Sequence, residues 1–435
     1  MAQILLFNAS KLVSGAKRIK RSVCMQSNKD RIKEMLEYIS TFNDAEPDEG
    51  ISRFSYSDND AKVRKYLIDI CNELGLKVRV DSVGNVFARL VGSDESLPIV
   101  MSGSHIDSVK NGGMFDGLVG SVAALEAVRV MVEEGYQPKN SIEVVFFAEE
   151  EGSNFQVPVM GSKLLTGKLS LDDIKQIQNE DGVSAYEVIK NAGYDPDNLA
   201  NDVIAPGSIK NMIEVHIEQS VRLDKEGHTI GIVSGIAGLQ WITVTLEGVQ
   251  NHAGATPMTL RQDPMVAASK IISEIDGIAK GINDTIVATV GFIEVSPNIP
   301  NAIPKEVKFV VDIRDIYQDT IQQCVDEIKA VTEKYAKEND VKFTVEKTAS
   351  SEAIKIPDYI KDVMKEQAEK LDLDYIMMPS GAVHDSNYMA EVTDVAMIFV
   401  PSVDGRSHVK EEFTEWDDIK AGVDLLLNTL VAITQ

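Results

Sequence analysis

The chain has 435 residues, 68 acidic and 43 basic, for a formal net charge of −25, and an apolar fraction of 44%. That length predicts two or three domains, since single cores seldom grow beyond roughly 250–300 residues, and the acidity speaks against nucleic acid and anionic membrane surfaces, which need basic patches. Three scattered Cys and no apolar run near the roughly 18 residues of a membrane helix exclude a disulfide framework and a spanning helix, and suggest a reducing, cytoplasmic compartment.

Residues 1–29 contain no acid and six bases, Lys11, Lys17, Arg18, Lys20, Arg21 and Lys29. ILLF at 4–7 is too short for a signal-peptide core. This leader reads as a disordered tail or non-native extension outside the fold, with a transit segment as the alternative. Helices follow over 30–42 and 58–74, the second stopped by Gly75. KVRVDSV and NVFARLV form a hairpin-like pair through Gly84–Asn85. LPIVMSG (97–103), SIEVVFFAEEE (141–151) and NMIEVHIEQ (211–219) read as buried strands. FDGLVGSVAALEAVRVMVEEG (115–135) is a helix ending at Gly135. Strands separated by helices predict an α/β fold: a mostly parallel mixed sheet with helices on both faces.

The pattern changes near 237. LQWITVTLEGV (239–249) alternates like a half-exposed strand, and RQDPMVAASKIISEIDGIAKG (261–281) is a helix. TIVATVGFIEV (285–295) and KEVKFVVDIRD (305–315) are strands. An amphipathic helix spans 318–338, and VKFTVEK (341–347) closes the set. This βαββαβ order predicts a ferredoxin-like α+β unit over 237–348, inserted in a larger domain of 30–236 and 349–435. A helix at 357–371, a buried strand at 394–401 and a helix at 415–431 return to the larger domain.

Open α/β sheets place their ligands at strand ends. Here those ends read GSHIDS (103–108), EEEGS (149–153), HIEQ (216–219) and DGRSH (404–408), with GGMFDG (112–117) opening a helix. Each supplies His, Asp or Glu. Singly, such residues are usually satisfied polar groups or solvated turns. Together they form a carboxylate cluster that would be costly to bury without a cation. Imidazoles and carboxylates without thiolates suit Zn²⁺, Mn²⁺, Co²⁺ or Ni²⁺. Asp107, two after His105, is placed to orient that imidazole. Asp116, flanked by glycines, is placed to bridge two metals. Spacing does not divide the work among Glu149, Glu150 and Glu151. His228, in a predicted turn, carries no functional expectation.

GSHIDSVKNGGMFDG, FFAEEEGSNF, EVHIEQ, NHAGATPM, IPNAIP, DIRD, SGAVHDS and FVPSVDGRSH resemble the amidase/hydantoinase/carbamoylase group of dinuclear metallohydrolases. That group includes N-carbamoyl-L-amino acid hydrolases, β-ureidopropionases and allantoate amidohydrolases, and is related to aminoacylase-type metallopeptidases. The resemblance covers residues 30–435 in order. It implies a catalytic domain with two divalent metals, zinc preferred, and a lid and dimerisation insert. By this resemblance His105, His216 and Asp116 would hold one metal, and Glu151, His408 and the bridging Asp116 the other. Glu150 would be the general base, acting on a water whose pKa two cations lower. Gln219, Asn301, Arg314 and His384 would bind a small carboxylate substrate, Arg314 through its planar fork. His252 would reach the partner subunit's site in a homodimer and stabilise the oxyanion. The implied reaction cleaves the ureido C–N bond of an N-carbamoyl-L-amino acid. Allantoate, β-ureidopropionate, an N-acyl or peptide substrate, and a non-catalytic relative are the alternatives. Three departures bear on substrate choice: Val383 where Gly is usual, Asn154 where Arg is common, and Ser220 where Gly is usual. Hinges are expected near Gly235–Gly238 and 347–355.

Overall fold

The computed structural model describes residues 24–435. Residues 1–23 of the basic leader lie outside the described residues. Its last part belongs to the fold, which therefore begins before residue 30: the Met25 amide donates to Asn428 at 3.1 Å, and the Ser27 amide and hydroxyl donate to Asp424 at 2.6 and 2.7 Å. Asn28 then caps the first helix, Lys29–Ser40.

In chain order the strands are β1 (Lys77–Val80), β2 (Val86–Leu90), β3 (Ile99–His105), β4 (Ile142–Phe147), β5 (Ile209–Ile217), β6 (Ile230–Ile236), β7 (Gly238–Glu247), β8 (Asn251–His252), β9 (Val287–Ser296), β10 (Ala302–Ile303), β11 (Glu306–Asp315), β12 (Lys342–Ser351), β13 (Ile354–Lys355), β14 (Tyr375–Ser380) and β15 (Asp394–Val400). The large sheet runs β1-β2-β4-β3-β5-β15-β6-β13, with β14 also on β6. Its centre, β4-β3-β5-β15, is parallel, and the hairpin β1-β2 makes one antiparallel edge. The central strands are apolar runs because both faces are covered. On one face pack the helices Leu118–Glu133, Trp416–Ile433 and Lys29–Ser40. Phe87, Met101, Val145, Phe147 and Met212 fill a core on the other face.

β7, β9, β11 and β12 form a separate antiparallel sheet of order β12-β7-β11-β9. The helices Pro264–Ile282 and Gln318–Glu338 supply its own hydrophobic core, with Ile271, Ile275, Ile321, Val325 and Ile328 buried against Val244, Phe309 and Val311. The strand order follows from the βαββαβ sequence pattern. The chain passes between the sheets at Ala237 and returns between Ser351 and Ile354. These crossings lie side by side, because β13 pairs with the last residues of β6. β6, β13 and β14 were not legible in the sequence: β13 has only two residues, and all three share the pairing of one another or of β15.

Candidate metal centre

The central strands β3, β4, β5 and β15 share a direction, so the loops after their C-terminal ends meet at one edge. His105 is the last residue of β3, and His216 lies next to last in β5. β4 stops at Phe147, which leaves Glu149–Glu151 in the following turn rather than in the predicted strand. His408 follows β15 in a loop, at φ +60°.

His105 and His216 present the same nitrogen to the cleft. Nδ1 of His105 donates to the Asp107 carbonyl at 3.1 Å, and Nδ1 of His216 donates to the Ile217 carbonyl at 3.0 Å. Each Nε2 is thereby left as the acceptor nitrogen, and that of His216 accepts the Gly117 amide at 3.2 Å. The Asp107 carboxylate, expected to orient His105, lies farther from Nδ1, at 3.6 Å. It accepts the Glu150 and Glu151 amides at 3.3 and 3.2 Å instead, so it shapes the glutamate turn as well as facing the imidazole.

Asp116 stands at the centre. Its Oδ1 is 3.5 Å from His105 Nε2 and 3.2 Å from His216 Nε2, and its Oδ2 is 3.3 Å from His408 Nε2. Glu151 Oε2 is 3.5 Å from His408 Nε2, and Glu150 Oε2 is 3.6 Å from His105 Nε2. His105, Asp116 and His216 offer ligand atoms within 4.8 Å of one another, as do Asp116, Glu151 and His408. Gly117 lets the helix start this close. It has φ +60°, and a Cβ there would lie 2.2 Å from the His105 ring.

Buried charge divides these groups. Burial opposes ionisation of Asp116, yet His216, His105 and His408 outweigh it and hold its pKa well below the ordinary carboxylate value. Burial pushes Glu150 well up, and Glu151 and Asp385 add to the effect. Glu151 is pushed up to about 7, chiefly by burial. His408 is raised to about 9 by its bond to Asp116. Glu151 Oε1 is buried without a hydrogen-bond partner. An orphaned carboxylate oxygen beside three imidazoles and three further carboxylates fits divalent cations, and the O and N donors suit zinc, manganese, cobalt or nickel.

The residues expected to hold substrate fall into two places. His384 is buried, 4.5 Å from the His216 ring, with Nε2 3.1 Å from the Ser380 hydroxyl. Burial and the neighbouring His216 hold its pKa well below the usual range, so it is neutral. Gln219 also borders the cluster. Its Nε2 donates to Asp116 Oδ2 at 2.7 Å, which leaves a buried, unpartnered Oε1 to face a ligand. Arg314, His252 and Asn301 lie on the insert. The Arg314 fork is taken by Asp312, at 3.0 Å for both contacts, and its third nitrogen donates to the Gly381 carbonyl across the gap. Arg314, Ser220, Arg222 and Ser380 line a cavity of about 310 Å³ between the insert and the large sheet. His252 pairs with Ala302 on the ribbon β8-β10, and Asn301 accepts the Ala253 amide. Its Nδ1 accepts the Gly254 and Ala255 amides, so the outward Nε2 carries the proton. Among the described residues, no hydrogen bond or ion pair joins His252 or Asn301 to the His, Asp and Glu cluster. His228 bonds Asp374 at 2.6 Å, away from the site.

The sequence profile of peptidase family M20/M25/M40 matches residues 101–432. The chain belongs to this family. An N-carbamoyl-L-amino-acid amidohydrolase of Paenarthrobacter aurescens is 36% identical over 404 residues, covering 93% of this chain and 98% of that protein. An allantoate amidohydrolase of Escherichia coli K12 is 35% identical, covering 91% and 95%. A solved amidase of the hydantoinase/carbamoylase family from Burkholderia multivorans superposes with TM-score 0.87 at 30% identity, covering 94% and 98%. This M20-family member is a metal-dependent amidohydrolase.

Three residues of this family member escaped the sequence reading. Glu214 is buried behind His216 and His384 and accepts the Ser104 and Ser386 hydroxyls at 2.7 and 2.6 Å. Strand alternation was the available signal, since 214, 216 and 218 share a face. Ser407 donates to Asp116 at 2.7 Å. Glu412 accepts the Asp116 amide, and only its position four residues after His408 hinted at that.

Proposed function

We propose that this chain hydrolyses N-carbamoyl-L-amino acids to the amino acid, ammonia and CO₂. The observation that carries the reading is a pair of ligand groups sharing Asp116, with Glu150 outside both but grouped with His105 and Glu151. We assign His105, His216 and Asp116 to one metal and Asp116, Glu151 and His408 to the other. Two bound cations would acidify a water and polarise the ureido carbonyl. Glu150 takes a proton from that water and passes it to the leaving nitrogen. Its buried setting raises its proton affinity, and a positioned carboxylate can carry such a proton. Gln219 and neutral His384 orient the ureido end. Arg314 and Asn301 receive the substrate carboxylate as the insert closes.

His252 supports a homodimer reading. It is exposed and carries its proton outward, and the structure gives it no acceptor in its own site. The edge strand β9 exposes Val287, Phe292 and Ile293, and Met258 and Leu260 are exposed close to His252 in sequence. Pairing of two such edges would bury this apolar surface and set His252 of one protomer over the other's cleft. Residues 237–348 then act as lid and dimerisation unit, and their separate core supports that division. The three free Cys fit a cytoplasmic location.

Allantoate is the second reading, favoured by the relative at 35% identity. An ammonia-release assay with Zn²⁺, Mn²⁺, Co²⁺ or Ni²⁺ tests both, against a panel of carbamoyl amino acids, β-ureidopropionate and allantoate. Turnover of carbamoyl amino acids above the others is the expected result. A protein holding two metals yet silent on the whole panel would sink the proposal.

A further inference from the structure

Beneath the Asp116 turn lies Glu412, which is 5% exposed. Its Oε1 accepts the Phe115 amide at 2.8 Å and the Asp116 amide at 3.0 Å. These two N–H groups precede the helix Leu118–Glu133, whose N-cap Gly117 offers no side-chain cap. A helix start leaves such donors unsatisfied, and a carboxylate answers both their hydrogen bonds and the positive end of the dipole. The acceptor comes from 296 residues away. Glu412 Oε2 is buried without a hydrogen-bond partner. Gly113 makes room, since a Cβ there would lie 2.4 Å from Glu412 atoms.

Glu412 thus holds the Asp116 turn while standing in the His408 loop, where its own amide donates to the Val409 carbonyl at 3.1 Å. The two halves of the cluster differ in how they are supported. His105 and His216 sit in strands within the parallel ladder, where register holds them. His408 sits in a loop in a left-handed conformation, with its side chain 49% exposed. A non-Gly residue stays there only when its surroundings over-determine it.

We propose that Glu412 is a positioning residue that sets metal affinity at the Asp116–Glu151–His408 subsite, by tying the Asp116 turn to the His408 loop. This rests on the two-metal reading above. The test is calorimetric titration of the metal-stripped full-length chain with Zn²⁺. Wild type takes two equivalents. Glu412→Ala keeps one at wild-type affinity and weakens the other about 10- to 100-fold, the usual effect of losing an outer-shell partner. Glu412→Gln retains an oxygen for the same amides and keeps both equivalents close to wild type. Gly113→Ala displaces the carboxylate from the other side and reproduces the selective loss even if Glu412→Ala fails to fold. Two equivalents at wild-type affinity in the folded Ala variants overturn the proposal. So does equal weakening of both equivalents, or a Gln variant as weak as the Ala variant. A wild-type chain that takes one equivalent overturns the two-metal reading itself, and this proposal with it.

Discussion

The Gln219 side-chain amide donates to Asp116 Oδ2 at 2.7 Å. The Ser407 hydroxyl reaches the same oxygen at 2.7 Å, while Oδ1 faces His105 and His216. The aspartate is therefore held with one oxygen toward each ligand group. Gln219→Ala removes the amide donor from a buried charge. A hydrogen bond to a charged group contributes about 1.5–3 kcal/mol, so kcat/KM should fall about 10- to 100-fold. Steady-state ammonia release measures this. Unchanged kinetics would mean that Gln219 does not hold Asp116.

Glu150 faces His105 but lies outside both ligand groups that share Asp116. Glu150→Gln should lower kcat about 10²- to 10⁴-fold, the usual worth of a general base. Bound metal, counted by elemental analysis, should stay at the wild-type level. Loss of metal in this variant would make Glu150 a ligand instead.

Glu149 answers the Asn154 departure. Asn154 gives it two hydrogen bonds, at 2.9 and 2.6 Å, where an Arg would give a charge. Burial, with Asp107 adding, pushes Glu149 up from 4.5 to about 8. Between those values the unfolded chain loses this proton and the folded chain keeps it. Stability of the metal-free protein therefore falls as pH rises through that window, by up to about 1.4 kcal/mol per pH unit from this group. Glu149→Gln keeps a neutral side chain throughout. Its stability relative to wild type should rise from pH 5 to pH 8, as read by denaturant unfolding. A constant difference would show that Glu149 is ionised in the fold.

Arg314 is held by Asp312 and Gly381 at the edge of a cavity between insert and sheet. Arg314→Ala should raise KM for carboxylate substrates about 10- to 100-fold with kcat nearly unchanged, as expected for one lost charge-assisted contact. A fall in kcat alone would point to lid closure rather than binding.

The dimer reading predicts complementation. His252→Asn and Glu150→Gln subunits are each inactive alone. In mixed dimers one site has both Glu150 and the partner's intact His252. Random pairing of equal amounts should restore about one quarter of wild-type activity, because half the dimers carry one good site of two. No recovery after subunit exchange would place His252 in its own subunit's chemistry or outside it.

Residue order was enough to find the two sheets and the residues that gather at the candidate site. Period-2 alternation in 239–249, helical spacing in 318–338 and long apolar runs are local properties, and they survive in a sequence. His105, Glu151, His216 and His408 were legible because parallel strands deliver their ends to one edge, so acid and His residues just past an apolar run share a place. The strands β6, β13 and β14 gave no such signal, because their pairing partners lie far off in the chain.

The tertiary structure decided the rest. It turned the Asp107 carboxylate onto the Glu150 and Glu151 amides, committed Gln219 to Asp116, and set Glu412 beneath the Asp116 turn. It also left His252 exposed on the β8-β10 ribbon. These are contacts between residues about a hundred to three hundred positions apart, or, for Asp107, between two strand ends. Composition and periodicity report what each segment buries. Which atom meets which across the cleft depends on how the packed segments are aimed, and only the assembled fold specifies that.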